Sequence, residues 1–356
     1  MDIEFFEGFT FYKKSEGPVY LTLHSGPAIE TPTSRDDNSD TVASLCWMKT
    51  GGSLVLVNLP RKRLLGIDFN REIPPLHKAI RMWAEFEKDE KTAILSKYRS
   101  RYAWVSNSPK DYNERLKIYN KFWFQVKNLG NFYISVHRKF TRLKNFPSVM
   151  DISSFGGKGI DPEIVVKIIE DLNKEYRPFF KDIRKNYMEA VLLEERRAFK
   201  KLPRLPKKVS LTHLYQEAQS DFQRNFKKDL EMIKKYASKS FKKRLENRFD
   251  LKNFLMASKN AMNNCGLPRI TFERIFKNEL SHAPKKKLYL GTDKIIIEIE
   301  CNQFINYWYP QVAADIITKI IEKVKKVEMY SKLGHKQTEI LEFLGEQDGN
   351  KELPQG

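Results

Sequence analysis

Ser53-Leu54-Val55-Leu56-Val57-Asn58 is the stretch whose reading decides the fold class. Its four central residues are all apolar, with no alternation of wet and dry positions. A strand of this kind must be covered on both faces, which points to a parallel sheet flanked by helices. The Gly51-Gly52 pair marks its start and separates it from Thr41 to Lys49, which has helical character. Upstream, Val19 to Leu23 is a second short apolar run, and it ends at His24. The Gly, Pro, Ser, Thr and Asp residues of Ser25 to Asp40 predict a long loop after it.

The same alternation continues downstream. Pro74 to Lys97 and Asp111 to Leu129 carry helix-spaced apolar residues, and Gly130 stops the second of them. Phe132 to Val136 predicts a strand ending at His137. Asp161-Pro162-Glu163 is a helix start, with Ile164 to Leu172 following at helical spacing. Ile295 to Glu300 predicts the last strand and Ala313 to Val327 a closing amphipathic helix.

The chain has 356 residues, 41% of them hydrophobic and 12% aromatic, which excludes a wholly disordered polymer. The length fits two domains, or one large domain with an insertion. The net charge is +19 and is unevenly spread. Lys174 to Lys252 holds 23 Lys/Arg against 11 Asp/Glu, a net of +12, so residues 174–287 are expected to form an inserted basic helical subdomain. Residues 346–356 are expected to be a flexible tail. Three scattered cysteines, Cys46, Cys265 and Cys301, fit a reducing compartment and argue against a disulfide framework. The start Met1-Asp2-Ile3-Glu4 is acidic where a secretion signal would be basic, and no run of about 18 uncharged apolar residues occurs. A cytoplasmic protein with no membrane partner is the expectation.

His24 and His137 each end a predicted strand, where parallel sheets bind ligands. Asp36, Asp37 and Asp40 lie in the loop after His24. Two imidazoles and a carboxylate with an open fourth position form a common ligand set for catalytic zinc. Asp68-Phe69-Asn70-Arg71 follows a strand and ends in a fixed cation, and Arg63 lies eight residues before Arg71. An Arg beside a zinc site can pair with a carboxylate or polarise a carbonyl. Glu298 and Glu300 point to one face of an otherwise apolar strand, where a carboxylate is costly unless paired or functional.

Leu21-Thr22-Leu23-His24-Ser25-Gly26, Asp68-Phe69-Asn70-Arg71 and Ile297-Glu298-Ile299 together resemble motifs of the N-formylglutamate amidohydrolases, in the same order. The resemblance covers about residues 19–172 and 290–327. It implies a mixed, largely parallel eight-stranded sheet sandwiched by helices, similar to aspartoacylases and zinc carboxypeptidases. On that basis residues 1–173 and 288–345 form a zinc-hydrolase-like α/β domain. The family's ligands fall on His24, Asp37 (with Asp36 and Asp40 as rivals) and His137. Ser135-Val136-His137-Arg138 keeps the third ligand but replaces the family's flanking Asp and Ser. Asp151-Ile152-Ser153-Ser154 is a rival stretch that lacks the His. The resemblance further implies Arg71 and Asn70 on a substrate carboxylate, Arg63 on the scissile carbonyl and Glu298 as the proton carrier. The implied reaction is zinc-dependent hydrolysis of an N-formyl or N-acyl amino acid or small peptide.

A nucleic-acid-associated protein is the alternative. The doublets Lys200-Lys201, Lys207-Lys208, Lys227-Lys228, Lys234-Lys235 and Lys242-Lys243 recur among aromatics, and the last three predict one stripe on one helix. A solvated lysine face over an aromatic core explains the same pattern, so only weak, non-specific binding is expected.

Overall fold

The structure is a computed structural model that describes residues 1–28, 35–61, 66–88, 101–155, 160–202, 221–274 and 294–332. Eight strands form one mixed sheet: β1 (Asp2–Phe6), β2 (Phe9–Lys13), β3 (Val19–Thr22), β4 (Ser53–Val57), β5 (Phe132–Lys139), β6 (Ser148–Ser153), β7 (Arg269–Phe272) and β8 (Ile295–Asn302). Their order across the sheet is β1-β2-β4-β3-β5-β8-β6-β7. The four central strands β4, β3, β5 and β8 are parallel. Antiparallel pairing enters beside them, where β2 joins β4 and where β6 joins β8.

Ten helices are present among the described residues: α1 (Ser39–Thr50), α2 (Leu76–Lys88), α3 (Pro109–Lys127), α4 (Pro162–Glu175), α5 (Arg177–Lys200), α6 (Asp221–Tyr236), α7 (Lys239–Asn247), α8 (Leu251–Cys265), α9 (Gln303–Trp308) and α10 (Pro310–Lys332). Their starts follow local chemistry. Ser108 accepts from the Asp111 amide at 3.2 Å ahead of Pro109, and Asp161 accepts from the Glu163 amide at 2.8 Å ahead of Pro162.

The sheet buries both faces, as the unbroken apolar run 54–57 predicts. One face carries Tyr20, Leu54, Ile134, Val136, Ile297 and Ile299 against α1, α5 and α10. The other carries Val19, Leu21, Val55, Val57, Tyr133 and Ile296 against α3, whose Tyr119, Phe122, Trp123 and Val126 fill that side. From β3 the chain crosses through α1 to β4 on one side, whereas β5 pairs with β3 on the other. A crevice therefore opens beyond the C-terminal ends of β3 and β5, the place where open α/β sheets bind ligands.

Of the expected basic subdomain 174–287, the described helices pack on the sheet: their Phe180, Ile183, Tyr187, Phe226, Ile233 and Phe254 share one core with Ile297 and Ile299, and Arg269–Phe272 forms the edge strand β7. The expected single lysine stripe needs correction, since the three doublets do not share a helix. Lys227-Lys228 and Lys234-Lys235 lie on α6, but Ala237-Ser238 ends it, and Lys242-Lys243 sits on α7. Lys207-Lys208 and the tail 346–356 lie outside the described residues. No described helix is long and apolar enough to cross a membrane.

Candidate metal centre

The α3-side face of the sheet changes character along the strands. Tyr133 and Ile296 belong to the apolar core, and the next residues on that face are Ser135 and Glu298, then His137 and Glu300. On the opposite face Ile295, Ile297, Ile299 and Cys301 stay apolar throughout. Strand alternation thus places an acidic, imidazole-bearing patch at one end of a hydrophobic face.

His24 stands two residues beyond β3. Its carbonyl accepts from the Asp36 amide at 2.9 Å, which returns the following loop to the strand end just before α1. Gly26 makes this path possible: a Cβ there would lie 1.8 Å from the Leu59 carbonyl oxygen. Both imidazoles then meet a single carboxylate oxygen. Asp36 Oδ2 lies 3.0 Å from His24 Nδ1 and 3.0 Å from His137 Nδ1. The other ring nitrogens are also held, His24 Nε2 by Asp68 Oδ1 at 3.0 Å and His137 Nε2 by Ser135 Oγ at 2.9 Å.

His24, Asp36 and His137 are all buried, and one ligand atom from each lies within 4.8 Å of the others. This group could hold a metal ion, and the donor set suits one. Two imidazoles and a carboxylate converge, and each imidazole is oriented from behind by an oxygen, as metal-binding histidines usually are. Burial acts to raise the Asp36 carboxyl, but His24, His137 and Arg61 outweigh it and hold it well below the usual carboxylate range. The same contest at Asp68 is won by His24, Arg61 and Arg71. Both acids are therefore ionised, as ligation and second-sphere orientation require.

The structure selects Asp36 where the sequence reading favoured Asp37. Neighbouring positions leave the helix entry in different directions. Asp37 turns outward to Arg35 at 3.8 Å and Arg138 at 4.0 Å, and Asp40 pairs with Arg35 at 2.7 Å. The rival stretch Asp151 to Ser154 is also resolved. Asp151 lies on β6, where its carboxylate accepts from Thr271 Oγ1 at 2.5 Å, so His137 is the residue in the cluster.

Arg63 lies outside the described residues. Arg61, from the same basic triplet, reaches the cluster: its Nε is 3.3 Å from Asp68 Oδ2 and its Nη1 is 3.5 Å from Asp36 Oδ1. Arg71 Nε lies 3.7 Å from Asp68 Oδ2, and the Asn70 amide donates to Asp68 Oδ1 at 3.0 Å. The first residue of Asp68-Phe69-Asn70-Arg71 is thus a hub that aligns His24 and both arginines. Sequence reasoning quoted Asp68, Ser135 and Arg61 without giving them roles, because only the fold shows which side of an imidazole each one meets.

These groups line a cleft of about 210 Å³. His24, Asp36 and His137 lie in it with Arg61, Asn70, Arg71, Glu298 and Glu300, and Arg138, Lys139, Phe140, Lys144 and Asn145 complete the lining. Five Lys/Arg against three carboxylates give the cleft a cationic balance suited to an anion. Asn70 Oδ1 is buried with no hydrogen-bond partner among the described residues. Burial, reinforced by Glu298 and Asp36, pushes the Glu300 carboxyl up to about 8 against the pull of His137 and Lys139.

Comparison with protein-family models, with characterised proteins and with solved structures finds no match to this chain.

Proposed function

We propose that the chain is a zinc-dependent amidohydrolase acting on an N-formyl or N-acyl amino acid, or a small peptide, with a free carboxylate. The observation that carries this reading is the buried His24–Asp36–His137 cluster in a cationic cleft that also holds two glutamates. His24, Asp36 and His137 would hold the ion. When bound, it supplies a Lewis acid that polarises a carbonyl and makes water more acidic.

The chain's own groups account for the remaining tasks. Arg71 binds the substrate carboxylate, with Asn70 beside it to accept from the substrate amide N–H. Arg61 takes the role expected of Arg63, next to Asp36, and donates to the scissile carbonyl oxygen. Glu298 takes the proton of the attacking water and delivers it to the leaving amine as the C–N bond breaks. Glu300, opposite His137 in the strand register, has its carboxyl raised by burial and serves as a hydrogen-bond donor beside Glu298.

The test is metal analysis of the purified chain together with a panel of N-formyl and short N-acyl amino acids. About one zinc per chain and release of free amino acid are expected. Zinc-loaded protein that leaves the whole panel uncleaved would overturn the amidohydrolase reading. The exposed Lys228, Lys234, Lys235 and Lys243 support a secondary, weak and non-specific contact with nucleic acid.

A further inference from the structure

One wall of the cleft is the short 3-10 turn Leu143–Asn145, which contributes Lys144 and Asn145 to the lining. Two carboxylates from the basic helices hold this turn from behind. Glu195 of α5 accepts from the Leu143 amide at 2.9 Å and from Arg142 Nε at 2.7 Å. Asp229 of α6 accepts from the Lys144 amide at 2.8 Å, and its second oxygen pairs with Arg142 Nη2. The side chains of both acids are 0% exposed.

Stability alone does not explain this arrangement. A buried ionic cluster is often no better than apolar packing of the same volume, because desolvation offsets the attraction. Here two buried acids share the guanidinium of Arg142 and the nearby Lys144 ammonium, yet burial and Glu195 push Asp229 well above the usual carboxylate range. The geometry does set direction. Carboxylates on the two successive amides of the turn fix its orientation, and that orientation delivers the Lys144 side chain to the cleft.

We propose that Glu195 and Asp229 are positioning residues, through which helices α5 and α6 fix the Leu143–Asn145 turn and hold the Lys144 ammonium at the cleft as an anion-binding group. This rests on the reading of the cleft as the substrate site. It assigns the basic region a task in the site through its two buried acids, independent of any role for its surface lysines.

A double-mutant cycle in the full-length chain tests it, with inorganic phosphate as the anionic probe and Kd read by calorimetry. Lys144→Ala and Asp229→Asn should each weaken phosphate about tenfold with metal content unchanged, and the double variant should be no weaker than Lys144→Ala alone. Lys144→Arg should restore binding. Additive losses, or unchanged phosphate affinity in folded Asp229→Asn, would overturn the proposal. Glu195→Gln runs the same cycle should Asp229→Asn not fold. Hydrogen exchange in the unaltered chain needs no variant: the Leu143 and Lys144 amides should be as protected as the core helices, and loop-like exchange overturns the clamp. Neither readout needs turnover, so a chain inactive on every acyl amino acid would sink the amidohydrolase reading and leave this test standing.

Discussion

Asp36 Oδ2 sits 3.0 Å from Nδ1 of His24 and 3.0 Å from Nδ1 of His137, so one carboxylate oxygen joins the ends of two neighbouring parallel strands. The contact lies in the crevice at the point where the chain's crossovers diverge. It also brings three potential ligands together at buried positions.

The first prediction concerns this cluster. Dialysed protein should retain about one divalent ion per chain, and His24→Ala, His137→Ala and Asp36→Ala should each lose it. Asp37→Ala should keep it, since Asp37 faces Arg35 and Arg138. Metal analysis of the four variants decides the matter, and retention by Asp36→Ala with loss by Asp37→Ala would reverse the assignment.

Asp68 gives a second test. Its carboxylate meets His24 Nε2 and fixes which ring nitrogen faces the cluster. Removal of such an outer partner commonly costs about 10–100-fold in metal affinity. Asp68→Asn should therefore weaken zinc within that range, read by competition with a chromogenic chelator. Ser135→Ala should cost less, because a neutral hydroxyl orients His137. Equal affinity in wild type and Asp68→Asn would count against the oriented-imidazole arrangement.

What the sequence disclosed follows its local physics. Uninterrupted apolar runs at 54–57 and 295–297 read directly as buried strands, and His24 and His137 read as strand-end residues. His137 in fact lies within β5, which runs on to Lys139, because polar residues at the end of a strand lack the apolar signature that marks its middle. β6 escaped for a related reason: Ser148, Asp151 and Ser153 are buried through hydrogen bonding and pairing, not through apolar character. The choice between Asp36 and Asp37 was illegible, since it turns on the entry angle of α1. The two acids of the 142–144 clamp were hidden among lysines, and their partners lie 52 to 87 positions away.

Glu298 and Glu300 offer the third prediction. They lie on one face of β8 opposite Ser135 and His137. Loss of a general base commonly lowers rate by about 10²–10⁴-fold. Glu298→Gln should fall in that range with KM little changed, in steady-state hydrolysis of an N-formyl amino acid. Glu300→Gln should lose far less, because the amide preserves a hydrogen-bond donor. The opposite ranking would move the proton-carrying role to Glu300.

Lys144 supplies a pH-dependent prediction of stability. Burial lowers its ammonium from the ordinary range to about 8, against the pull of Asp229. The folded chain therefore sheds this proton at lower pH than the unfolded chain, which holds it to about 10.4. Between those values the unfolded state binds more protons, so this group's contribution to stability rises with pH, by up to about 1.4 kcal/mol per pH unit. Urea unfolding at pH 7.5, 8.5 and 9.5 should show wild type gaining on Lys144→Met across the series. A constant or shrinking difference would place the lysine in water.

The surface lysines set the last prediction. Phosphate recognition needs several cations on one face, and each phosphate contact adds about 0.9 to the log–log salt slope on duplex DNA. Lys228, Lys234 and Lys235 are exposed on α6, but the third doublet sits on α7 beyond the Ala237-Ser238 break. Among the described residues of the basic region, the aromatics that would stack on single-stranded bases are engaged elsewhere. Phe180, Tyr187 and Phe226 are buried in the core, and Phe199, Tyr236, Phe241 and Phe249 pack against it. Charge without stacking or groove geometry gives attraction without selectivity. Binding to DNA or RNA should thus be weak, indifferent to sequence, and steeply reduced between about 50 and 200 mM salt. Reversing Lys228, Lys234 and Lys235 to Glu should flatten the salt slope and leave metal content unchanged. Selective binding at micromolar or tighter Kd in physiological salt, lost in that triple variant, would instead make nucleic acid the principal partner and the cleft secondary.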